Sequence, residues 1–299
     1  MSGPARPSEG SARVPAGATR DGQGAPGGAP APALHAWLRG VGLLGPGLAG
    51  WHAAQPLLAG RSAWQHEPTL LGAPARLPAA ERRRAGDIVR LSLAVADEAC
   101  AAAGVEAAAL VTVFAASTGD ANNCHALCEA LASPERVVSP TRFTNSVHNA
   151  PAGYWHIATQ SQAASTSLCA FDASVGAGLV EAMAQCAAGA PAVLLVAADV
   201  AYPQPLRGVR PITDAFGVAL VLAAQPGPGD LARLTLRFVD TPAQPCDGAD
   251  LEALRRAVPA GRMLPLLQAL AVGRRGPLVL DYLDGLGLEV TVADPGAPT

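Results

Sequence analysis

The 299-residue chain is half hydrophobic and only 15% charged, with a formal net charge of −3 and a sequence pI of about 6.1. This balance excludes a protein held to nucleic acid by a basic surface. The length allows one large domain or two small ones, with ample material for a buried core. Every formal positive charge is an arginine, because lysine is absent, and alanine is in excess. Both features mark a GC-rich coding bias rather than a function.

The first segment, Met1 to Ala33, is rich in Gly, Pro, Ala and Ser and has no apolar run. It lacks the basic start and hydrophobic core of a secretory signal, and its composition predicts a disordered tail. Leu34 to Leu44 predicts a strand ended by the turn signal Gly45-Pro46-Gly47, and Trp51 to Pro78 reads as an irregular excursion. Arg82-Arg83-Arg84 opens a helical stretch over Asp87 to Ala103, with Ile88, Leu91, Val95 and Ala99 at helical spacing and Gly104 as its C-cap. Ala107 to Ala116 is a continuous apolar run that predicts a buried strand, with Ser117-Thr118-Gly119-Asp120 as its exit loop.

A helix is expected over Asn122 to Ala132, followed by the unusual stretch Ser139 to Trp155. Ala164 to Ala170 predicts a strand, Phe171-Asp172-Ala173-Ser174 a tight turn, and Gly176 to Ala188 a helix rich in small residues. Further strands are expected at Val193 to Ala198, Phe216 to Leu222 and Leu231 to Val239. A helical region over Asp250 to Ala271 and a hairpin-like end over Leu278 to Val292 complete the chain. Repeated strand–helix–strand units with strands apolar on both faces predict an α/β fold, a mainly parallel sheet sandwiched by helices. No run reaches 18 uninterrupted apolar residues, so no membrane span and a cytoplasmic protein are expected.

Six cysteines are too few and too scattered for a disulfide scaffold, and Cys100 and Cys186 read as small core residues. Cys124 and Cys128 flank His125 on a helical stretch, but no second Cys/His cluster exists to complete a zinc site. They read as helix positions facing the core, with no metal. No phosphate-binding loop or dinucleotide fingerprint is present, so no cofactor is expected.

Ser139 to Trp155 and Ala164 to Ala182, with Ser117-Thr118-Gly119-Asp120 before and Phe216-Gly217-Val218-Ala219-Leu220 after, resemble the β-ketoacyl synthase-like N-terminal domain family of the thiolase-like superfamily. The run Ser146 to Gly153 carries the resemblance most specifically. The resemblance implies a thiolase-like N-terminal half over 34–225 and a short, degenerate C-terminal extension over 226–299. It also implies a nucleophilic cysteine at a strand-to-helix elbow and two histidines from a second half. Here the elbow reads Ala170-Phe171-Asp172-Ala173-Ser174, and counting back along the helix sets Asp172 at the nucleophile's place. Cys169 lies three residues earlier, and no histidine follows His156.

The candidate chemical residues are therefore Cys169, Asp172 and His148. Cys169 reads as either a nucleophile or an inert, buried thiol within the strand. Asp172 reads as an acid or base or as a helix N-cap, and His148 as a base or a partner for loop backbone. By resemblance, Phe143, Asn145, His148, Asn149 and Tyr154 are interface or pocket candidates. The implied function is a catalytically degenerate, chain-length-factor-like subunit of fatty-acid or aryl-polyene biosynthesis. It would pair with an active ketosynthase, or with itself, and Arg82-Arg83-Arg84 reads as a solvated helix start or as a contact for an acyl carrier protein. The alternative is an acyltransferase or thioester hydrolase using Cys169 and His148. A half-thiolase exposes apolar surface, so association is expected on physical grounds.

Overall fold

The computed structural model describes residues 33–297. The tail expected over Met1 to Ala33 lies outside the described residues, except for Ala33 itself. The chain opens with β1 (Leu34–Gly45), a short β2 (Leu48–Ala49) and helix α1 (Trp51–Leu58). This helix corrects the irregular reading of Trp51 to Pro78. Its buried stripe Trp51, Ala54 and Leu58 follows helical spacing, and the internal Pro56 conceals the pattern in the sequence.

Helices α2 (Ala79–Arg84) and α3 (Asp87–Ala103) come next, and α3 ends at Gly104 in the left-handed conformation the C-cap predicts. Strand β3 (Val111–Ala115) is shorter than the apolar run, because Ala107–Ala109 forms a 3-10 turn before it. Helices α4 (Ala121–Ala132), α5 (Pro140–Thr144) and α6 (Ala150–Thr159) lead to β4 (Ser165–Leu168). The 3-10 turn Phe171–Ala173 then passes directly into α7 (Ser174–Ala187). Beyond it lie β5 (Ala192–Asp199), α8 (Leu206–Val209), β6 (Phe216–Ala223) and β7 (Ala232–Val239). The helical region expected over Asp250 to Ala271 is divided into α9 (Ala249–Ala257) and α10 (Leu264–Ala271) by the 3-10 segment Pro259–Met263. Strands β8 (Gly276–Leu283) and β9 (Leu286–Ala293) form the expected hairpin.

The strands make one sheet in the order β4-β3-β5-β6-β1-β7-β9-β8, with β2 on β1. The α/β class stands as expected. Parallel pairing is confined to β3 with β4 and β5, and the other pairs are antiparallel. Apolar runs report burial on both faces, not the direction of a neighbour. On β5, Val193, Leu195 and Ala197 enter one hydrophobic cluster, while Leu194, Val196 and Ala198 enter the other. Period-two alternation with both faces covered thus produces the unbroken apolar string.

Helix α3 lies on one side of the sheet, and α7 on the other. A Cβ on Gly178 would lie 2.8 Å from Leu195 of β5 and 3.0 Å from Ala115 of β3. One on Gly176 would lie 3.1 Å from the backbone of Asp281 on β8. The small residues read from the sequence therefore let α7 pass between the parallel strands and the C-terminal hairpin.

Candidate functional site

The turn from β4 into α7 is tight because its tip residue is left-handed. Phe171 has φ +52°, a costly region for a bulky side chain. The turn is held from beneath by Ser174, whose Oγ accepts from the Ala170 amide at 2.9 Å and donates to the Phe171 carbonyl at 2.7 Å. The apex of the elbow is thus Phe171, one residue before Asp172. Its ring is 61% exposed, and the Arg210 guanidinium stacks on it at 3.6 Å from the centroid.

Asp172 is bound on both oxygens, by Arg210 Nη2 at 2.6 Å and by Arg262 Nη2 at 3.2 Å. These arginines come from the segment after α8 and from the turn before α10, so the elbow is clamped by residues distant in sequence. Behind it, Asp199 at the end of β5 is buried. Its Oδ1 accepts from the Ser117 amide and its Oδ2 from the Ala260 amide, each at 2.8 Å. Burial pushes its carboxyl above the ordinary range, while these amides and the nearby Arg210 oppose that shift.

Cys169 is exposed and lies just past β4, where its thiol donates to the Ser117 carbonyl at 2.9 Å. The sequence reading of a buried thiol within the strand is corrected on both points. The His148 ring packs beside Gly119, and its Nε2 is buried without a partner among the described residues. No hydrogen bond joins His148 to Cys169 among the described residues.

The interface candidates divide in two. Phe143 is 70% exposed and Asn149 is exposed, and Val147 between them is 53% exposed. Tyr154 is instead buried, with its hydroxyl donating to Asn145 Oδ1 at 3.0 Å, and Asn145 donates onward to the Arg84 carbonyl at 2.9 Å. This pair braces α6 against α2. Asn149, His156, Ser165 and Ser167 line an open cavity of about 410 Å³ beside β4.

Cys100, Cys186 and Cys246 are buried, and burial pushes their thiols up to about 12, 11 and 12. Cys124 and Cys128 are exposed, which corrects their reading as core positions: α4 buries only Ala121 and Asn123. Arg82 turns back to the Ala75 and Leu77 carbonyls. Arg83, Arg84 and Arg142 converge on a polar cleft of about 470 Å³ with Asp87 and Asp120. Sequence reasoning missed Phe171 as the apex, and Arg210, Arg262 and Asp199 as its supports. An acidic residue closing the apolar strand Val193 to Ala198 was the one signal available for Asp199.

Many solved structures share this fold, three of them ketosynthase assemblies that cover most of the chain. A chain of the ketosynthase ApeO in complex with its chain length factor ApeC from Xenorhabdus doucetiae superposes with a TM-score of 0.67 at 21% identity, covering 86% of this chain and 99% of that one. A chain of the ishigamide ketosynthase/chain length factor gives 0.65 at 13% identity, covering 87% and 99%. A chain of AntDE:AntF, a type II polyketide synthase carrier protein in complex with its ketosynthase, gives 0.67 at 10%, also covering 87% and 99%. A comparison with curated proteins finds no match. The family model for the β-ketoacyl synthase N-terminal domain matches residues 51–272, most of the chain. The chain belongs to the β-ketoacyl synthase N-terminal domain family.

Proposed function

We propose that this chain is a ketosynthase-like subunit without a working condensation centre, acting as a chain length factor for an active ketosynthase. The observation that carries the reading is the elbow. Its apex is a phenyl ring stacked under Arg210, and the adjacent carboxylate is held by two arginines. A phenyl ring is no nucleophile, a carboxylate held in two ion pairs is a poor one toward a thioester, and no histidine follows His156 in the sequence to polarise a carbonyl or assist decarboxylation. A subunit that shapes an acyl pocket needs a wall, not a nucleophile.

The partner-facing surface is the edge formed by β4. The carbonyls of Ala164 and Leu168 accept from the amides of Thr112 and Ala116 on and just after β3. By alternation, Ser165 and Ser167 direct their backbone groups outward, where no strand covers them among the described residues. Phe143 and Val147 add exposed apolar surface in the segment that precedes this strand. Similar folds in solved ketosynthase/chain length factor assemblies support this pairing. An acyl carrier protein would meet the assembly at the cleft of Arg83, Arg84 and Arg142, with fatty-acid or aryl-polyene-type chains as products.

The test is a reconstituted synthesis in which a ketosynthase from the same genome elongates carrier-bound acyl chains with and without this protein. The proposal predicts that product length or yield depends on its presence. Identical products in both reactions would contradict it.

A further inference from the structure

The geometry points to a binding site for a small oxyanion, a phosphate ester or a carboxylate, at the head of the elbow. Arg210, Arg256 and Arg262 line a cavity of about 130 Å³ together with Asp172, Ile212 and Pro259. Three arginines and a single carboxylate line it, which leaves the cavity with an excess of positive charge. Asp172 is already neutralised by Arg210 and Arg262. Of the nearby acids, Asp199 has both oxygens on backbone amides, and Glu252 is held in a bidentate pair by Arg255.

Two donors remain uncommitted. Arg210 Nε is buried and has no acceptor, and Arg256 makes no ion pair, among the described residues. The free Arg256 guanidinium can give an oxyanion charge-assisted bonds, and the anion's charge offsets the positive excess around Arg210 and Arg262. The cavity admits a small planar or tetrahedral anion, while the Ile212 and Pro259 walls suit the carbon chain that carries it. The site lies within one chain and does not depend on the pairing proposed above.

Thermal unfolding of the full chain, at constant ionic strength in chloride, inorganic phosphate or acetate, tests it. Phosphate or acetate near ten times its dissociation constant should raise Tm by about 2–4 °C over chloride. The anion that reaches half of this shift at the lower concentration marks the natural class, phosphate ester or carboxylate. Arg256→Gln should abolish the shift and leave Tm in chloride within about 1 °C of the parent, because this exposed side chain holds no partner. Equal Tm values in all three salts, or a shift that survives in Arg256→Gln, would overturn the site.

Discussion

Asp199 ends β5 with its two carboxylate oxygens on amides from different regions, Ser117 before α4 and Ala260 after α9. Removing it leaves two buried N–H groups without acceptors, each costing about 1–3 kcal/mol. Asp199→Ala is therefore expected to lower unfolding free energy by about 2–5 kcal/mol in urea titration. Asp172→Ala should cost under about 1 kcal/mol, since its pairs lie near water. A smaller loss for Asp199→Ala than for Asp172→Ala would reverse this assignment of support and surface. The two aspartates were unequally legible in the sequence. Asp172 stood inside a recognisable elbow, but its partners are 38 and 90 residues away, and no local pattern announces them. The left-handed φ of Phe171 was hidden for a related reason: glycine advertises such a conformation, whereas phenylalanine adopts it only where surrounding contacts impose it.

At the scale of elements, α7 sets the site because it seats the elbow against both the parallel strands and the hairpin. Gly178 has no room for a branched side chain, with a Cβ already 3.0 Å from Ala115 and 2.8 Å from Leu195. Gly178→Val is expected to cost at least about 2 kcal/mol, read as a lower urea midpoint. An unchanged midpoint would show that the packing around α7 gives way. Long periodic elements such as α3 and the apolar strands β5 and β6 were legible because burial imposes period 3.6 or saturates period 2. The short α1 was not, since a proline interrupts a helix only eight residues long. Nor was the outward face of Cys124 and Cys128, because small apolar residues on a helix resemble a core stripe whether or not anything covers them.

For the whole molecule, the sheet ends at β4, a four-residue strand with one edge paired to β3 and the other free among the described residues. The two exposed phenylalanines near the elbow segment, Phe143 and Phe171, are large apolar groups left to solvent in the single chain. Edge strands left in this way pair with another chain unless they are blocked. The α/β class and the family were legible from the segments around Ser139 to Ala182, while the mixture of strand directions was not, since direction leaves no trace in composition. If this chain is one half of a two-subunit assembly, native mass spectrometry of the protein co-expressed with a ketosynthase from the same genome will detect the pair. One copy of each chain is expected in the main species, and its loss in Ser167→Pro, which removes an outward amide while sparing the bonds to β3. Separate species of the two chains, or a heterodimer undisturbed by Ser167→Pro, would contradict it.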